Sequence, residues 1–198
     1  MKLSPKKRIM EAATRLFYEQ GFNATGINQI IKESGAAKAS FYEYFSSKEE
    51  LGKKVLRSYQ AGTLRWLRSI VHASHSMEEF VGNMSLSVES QIHNGKGFYQ
   101  GCPVAMYSAQ FPTKTGLYRD DFSGAVKQWE KVLIGYLEKQ KSLGKFQPAF
   151  DPLSFTRRVL NLYEGSLLMW QLSGEISYIK EFKNQLYEIY SLECVHRN

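Results

Sequence analysis

Residues 25–51 read TGINQIIKESGAAKASFYEYFSSKEEL, and this stretch decides the fold. Ile27, Ile30 and Ile31 recur at the spacing of one helical face, which predicts a short amphipathic helix over Gly26–Ser34. Thr25 stands where an N-cap hydroxyl would accept from an early backbone amide. Gly35 follows the last periodic residue and can take the left-handed conformation that ends a helix. A second short helix is predicted from Lys38 to Phe45, anchored by Phe41 and Phe45, one turn apart. Its other face carries Lys38, Ser40, Tyr42 and Tyr44. Ser47 followed by Glu50 is a capping box, and it opens a third helix.

Two short helices around a glycine turn, with a capped helix behind them, form a layout that can enter a DNA major groove about 12 Å wide. The second helix begins with short side chains, Ala37 and Ala39, which let its backbone approach. Lys38 suits a base acceptor or a phosphate, and Ser40 can donate or accept. The hydroxyls of Tyr42 and Tyr44 reach phosphate oxygens, and Lys48 at the next helix N-terminus suits another. Thr25, Gly26 and Asn28, at the start of the first short helix, complete the candidate DNA-binding set. A plain helical hairpin with a solvated polar face has the same spacing.

The run from Ile9 to Leu51 resembles the N-terminal domain of TetR-family transcriptional regulators. The resemblance lies in order and spacing: Ile9, Ala12 and Leu16 lead to Phe17-x-x-x-Gly21-Phe22. Thr25, Ile30, Ile31, Ser34 and Gly35 follow, then Lys38, Ser40 and Phe41-Tyr42-x-Tyr44-Phe45, and finally Lys48 and Leu51. Gly101-Cys102-Pro103 is similar to a segment that opens a central helix in one branch of that family. The chain departs from many relatives at Ala39, where a longer residue or glycine is common, so the resemblance speaks to docking mode and not to the bases read. It implies an all-α fold with a DNA-binding domain over residues 1–46 and a larger effector-binding and dimerisation domain over 47–198. It also implies a ligand-responsive regulator, a repressor by default, that binds a palindromic double-stranded DNA operator as a homodimer and is no enzyme.

The charge agrees with that reading. Residues 1–60 hold 11 Lys and Arg against 6 Glu, a balance of +5 out of the total of +7. The excess thus lies where DNA binding needs it. Lys6, Lys7 and Arg8 open the first helix, a poor place for cations beside the helix dipole, and a phosphate nearby would relieve the conflict. A solvated basic tail is the other reading. Only Cys102 and Cys194 are present. A disulfide framework is therefore not expected, and a reducing cytoplasm is the default location. No apolar run is long enough to span a membrane, no signal peptide is recognised, and no cofactor is expected.

Outward from the opening stretch, every strong periodicity is helical, and about nine helices are predicted. Ser4-Pro5 starts a helix with Ile9, Ala12, Ala13, Leu16 and Phe17 on one face, and Gly21 stops it. The helix from Ser47 runs to about Ile70. Ser76 with Glu79 caps another, to about Ile92, before a loop at Asn94-Gly95-Lys96-Gly97. A short helix follows Pro103 to about Gln110, and Phe111-Pro112 breaks the chain. Phe122, Val126, Trp129, Leu133 and Tyr136 form a packing seam. Asp151-Pro152 opens a helix to about Leu172 with Leu160, Tyr163, Leu167 and Trp170 in one stripe. Leu162, Leu168 and Met169 lie outside that stripe. Ile176, Ile179, Phe182, Leu186 and Ile189 line the last helix. Two such helices joined by Ser173-Gly174 can pair with a second copy as a four-helix interface.

The middle of the chain is rich in aromatic residues and methionine, among them Phe98, Phe111 and Trp129. Trp66, Tyr99, Met106, Tyr107, Tyr163 and Trp170 are the candidate effector-binding residues, for a small apolar or aromatic molecule. The same residues at helical spacing also read as ordinary core. Two alternatives remain: a helical protein-interaction module, and a redox- or metal-responsive regulator using Cys102 or the pair His72 and His75. The histidine pair lacks the further ligands a metal site needs.

Overall fold

The computed structural model describes residues 3–95, 99–111 and 116–194. The expected loop residues Lys96 and Gly97, the aromatic Phe98 and the expected break at Pro112 lie outside the described residues. Among the described residues the chain forms nine helices and no strand. They are α1 (Pro5–Glu19), α2 (Ile27–Ser34), α3 (Lys38–Tyr44), α4 (Lys48–His72), α5 (Met77–Asn94), α6 (Pro103–Ser108), α7 (Arg119–Ser142), α8 (Pro152–Ser173) and α9 (Ser177–Ser191).

The helix ends follow local chemistry. Ser4 Oγ accepts from the Lys7 amide at 3.3 Å, and Pro5 supplies the first helical residue of α1. Asp151 does the same for α8 through the Leu153 amide at 3.0 Å, and Gly174, at φ 75°, ends that helix. The two capping boxes close one residue further back than expected. Ser47 and Ser76 accept from the amides of Glu50 and Glu79, but the glutamates return to the amides of Ser46 and His75.

One expected cap is corrected. Gly26, without a side-chain hydrogen bond, is the N-cap of α2. Thr25 is buried one residue earlier, and its hydroxyl donates to the Gly21 carbonyl at 2.7 Å and accepts from Gln20 Nε2 at 3.2 Å. The seam predicted for α7 is also off by one position. Ala125 is buried and Val126 is exposed, because Trp129, Leu133, Tyr136 and Leu137 set the buried arc. Ile176 precedes α9 and is exposed, while Ile179, Phe182 and Leu186 form its buried face.

The chain divides into two compact units, one of Met1–Thr63 with Pro103–Ser123 and one of Leu64–Cys102 with Gly124–Asn198. In the first, α1 packs on α2, α3 and α6, and α2 packs on α3. Ile9, Ala13, Leu16, Phe17, Ile30, Phe41, Phe45, Leu51 and Val55 are its core. Each of these side chains except Ala13 contributes about 1.5–3 kcal/mol by burial. In the second unit α9 packs on α8 and α5, over Phe80, Met84, Val88, Leu133, Phe155, Val159, Leu167 and Phe182. There Phe146 and Phe150 stack at 3.8 Å, and a single antiparallel bridge joins Phe146 to Cys194. No helix of the described residues is long and apolar enough to cross a membrane.

Candidate nucleic-acid interface

The reading head is built from α1, α2 and α3. Ile30 and Phe41 are fully buried, so each of the two short helices is pinned by one face. Gly35, at φ 57°, turns the chain between them, a conformation that costs a side chain more than it costs glycine. Arg15 ties α1 to α2 through Glu33 at 2.8 Å. It also reaches Glu19 at 3.1 Å.

With Phe41 turned inward, the remaining surface of α3 faces solvent. Ala37, Lys38, Ala39 and Tyr42 are exposed, with Tyr42 at 50 %, and Ser40 and Tyr44 are half-buried. The ring of Tyr42 rests edge-on against Phe41 at 5.2 Å, which holds its hydroxyl outward. Gly26 and Asn28 at the start of α2 are exposed too. These eight are among the ten residues the sequence points to, and each is exposed or half-buried on α2, α3 or their N-caps. The alanines keep the first turn of α3 thin, and Lys38 and the two tyrosines carry the polar groups of this surface.

Two expected DNA-binding residues are placed differently. Thr25 is wholly inside, holding the α1–α2 turn. Lys48 is half-buried and turned inward. Its Nζ donates to the carbonyls of Phe22 and Thr25, both at 3.1 Å, and stands 4.4 Å from the centre of the Phe22 ring.

The six candidate effector-binding residues fall in both units. Met106 and Tyr107 belong to the first unit. There Tyr107 lies among Phe17, Phe22, Tyr59, Phe111 and Tyr118, with ring centres 5.1–6.2 Å away. Trp66, Tyr99, Tyr163 and Trp170 belong to the second. Trp66 stacks on Tyr163 at 5.4 Å and donates to Ser87 Oγ at 2.7 Å. Tyr99 meets Trp170 at 5.8 Å and is hydrogen-bonded to Tyr163.

A residue the sequence reading passed over joins this second set. Glu164 is hydrogen-bonded to Cys102, its Oε1 is buried without a partner, and burial raises its pKa above the ordinary carboxylate value. Its signal was available: it is the only carboxylate within α8. In the same unit, an open pocket of about 590 Å³ is lined by Leu86, Ile92, Trp170 and Ile176, with Glu89, Ser90 and His93 as polar tips. That volume lies within the roughly 300–1,000 Å³ of small-molecule sites.

His72 and His75 are both exposed, and no group of metal-ligating side chains gathers among the described residues. Cys102 is buried, and neither cysteine forms a disulfide.

The comparisons with known proteins agree along the whole chain. The model of bacterial regulatory proteins of the tetR family matches residues 9–55. The model described as tetracyclin repressor-like, C-terminal domain, matches residues 83–186, more than half of the chain. The HTH-type transcriptional regulator LmrA of Bacillus subtilis (strain 168) is 31% identical over 140 residues, covering 70% of this chain and 72% of its own. The HTH-type transcriptional repressor DhaR of Mycobacterium sp. (strain GP1) is 20% identical over 184 residues, 92% of this chain and 90% of its own. In fold, the TetR-family transcriptional regulator from Cytophaga hutchinsonii superposes with a TM-score of 0.85 at 19% identity, over 100% of both chains. With an exposed α3 on a buried scaffold and both family models matched, this chain belongs to the TetR family of DNA-binding transcriptional regulators and is not an enzyme.

Proposed function

We propose that the protein is a repressor that binds a palindromic operator as a homodimer in the cytoplasm and leaves it when a small apolar or aromatic effector binds. The observation that carries the DNA contact is α3, whose Phe41 is buried while Lys38, Ala39 and Tyr42 are exposed. Residues 1–46 do the reading, and residues 47–198 hold the effector and the second copy. DhaR and the KstR2 proteins, named as transcriptional repressors, support the sign of the regulation. One reading helix makes few contacts, and a second copy doubles them across two half-sites.

For the effector, the supporting set is Trp66, Tyr99, Tyr163 and Trp170, two aromatic pairs in the unit that also holds the buried Glu164. Met106 and Tyr107 belong to the first unit, where Tyr107 lies among aromatic rings. An effector releases DNA only to the extent that it prefers the state with poorly spaced reading heads. Helix α4 has residues in both units and is the element we assign to carry that change.

The test is an operator titration. A duplex is selected from a random pool on the wild-type protein, and Lys38→Ala and Tyr42→Ala are compared on it. Each is expected to weaken binding by about 1–3 kcal/mol with unfolding unchanged. Unchanged affinity in both variants would remove α3 as the reader. Candidate aromatic compounds added to the same titration should weaken DNA binding and raise the melting temperature together. Compounds that stabilise the protein and leave the duplex bound would count against the release mechanism.

A further inference from the structure

The turn between α1 and α2 is held from several sides at once. Lys48, the first residue of α4, donates from Nζ to the carbonyls of Phe22 and Thr25, both at 3.1 Å, and lies over the Phe22 ring at 4.4 Å. Gln110, two residues past α6, accepts from the Phe22 amide through Oε1, and its own carbonyl accepts from Asn23 Nδ2 at 3.2 Å. Gln110 Nε2 in turn donates to the Met106 carbonyl at 3.3 Å, which fixes the amide's orientation. A Cβ on Gly21 would stand 2.9 Å from Gln110 Oε1, so the glycine admits this approach.

These contacts engage two of the three Lys48 donors and both ends of the Gln110 amide. An ammonium has three donors; two are spent on main-chain oxygens, and the ring faces the charge. The carbonyls of Phe22 and Thr25 sit just before α2, and the Phe22 carbonyl also accepts from the Thr25 amide at 3.3 Å. Charge-assisted hydrogen bonds of this kind are stronger than neutral ones. We propose that Lys48 and Gln110 are positioning residues of the DNA reading head: together they hold the Phe22–Thr25 turn, and so set where α2 begins, without contacting DNA.

The salt dependence of DNA binding separates this role from a phosphate contact. Removing one protein–phosphate interaction lowers the slope of log affinity against log salt by about 0.9. On the duplex selected with wild-type protein, Lys48→Met and Gln110→Met are each expected to bind about three- to tenfold more weakly, with the wild-type slope. Amide exchange of Phe22 to Ile27 should quicken in both. The double variant should lose less than the product of the two, since both grip one turn. A slope lowered by one phosphate in Lys48→Met, with exchange unchanged, would overturn the proposal, and so would unchanged affinity in both single variants. If Lys48→Met does not fold, Lys48→Gln, which keeps N–H donors without the charge, separates the two roles by the same slope.

Discussion

At the scale of single residues, the chain places some side chains by type and others by what surrounds them. Lys48 has the residue type and the sequence position of a phosphate contact, yet its Nζ is engaged by two carbonyls and a ring. Thr25 has the type of an N-cap, but the Gly21 carbonyl lies close enough to take its hydroxyl, and Gly26 caps α2 instead. Gly52 is the reverse case, since nothing in the sequence marks it. It lies in the second turn of α4 with no positive φ. A Cβ there would stand 2.7 Å from the hydroxyls of both Tyr107 and Tyr118 and 2.8 Å from Phe22. Gly52→Ala should therefore destabilise the protein by about 1–3 kcal/mol through overpacking, although alanine is the better helix former. Denaturant unfolding reads this directly, and a stabilised variant would show that the aromatic cluster can part.

At the scale of elements, helix ends were largely legible and helix faces partly so. Caps at Ser4, Ser47, Ser76 and Asp151 rest on a few neighbouring residues, and the sequence holds all of them. The start of α4 carries a prediction. Lys54 at 2.7 Å holds the Glu50 carboxyl at about 2, well below its ordinary 4.5, and the Ser46 amide and hydroxyl add to this from 2.8 Å each. A depressed carboxyl stabilises the fold above its unfolded value, and that contribution fades as pH falls from 4.5 towards 2. The Ser46 amide should lose its hydrogen-bonded chemical shift across that window. Glu50→Gln should flatten the response; an equal transition in the variant would assign it to another group. Faces were harder. The seam of α7 chose Val126 over Ala125, because periodicity gives the spacing of an arc and not which neighbouring helices cover it.

At the scale of the whole molecule, the single chain leaves an apolar surface on α8, with Leu168 53% and Leu172 72% exposed and Met169 beside them. We assign this face, with α9, to the second copy. Leu168→Glu with Leu172→Glu should turn a dimeric mass into a monomeric one by light scattering at micromolar concentration. Operator affinity should fall with it, because the two half-sites are then read separately. A wild-type protein that scatters as a monomer would sink the pairing.

The sequence by itself determined the helical class, the order and ends of most helices, the reading helix with its inward Phe41, and the basic excess of the first sixty residues. These rest on local spacing, capping and charge, which a linear string contains. Only the tertiary structure decided which distant residues share a neighbourhood. It brought Gln110 to the turn at Phe22, put Tyr107 among the aromatic rings of the first unit, and set Glu164 beside Cys102. It also turned Lys48 from the solvent to two carbonyls. Such partners lie tens of residues apart, and which polar group satisfies which is settled by packing in three dimensions and not by the local pattern.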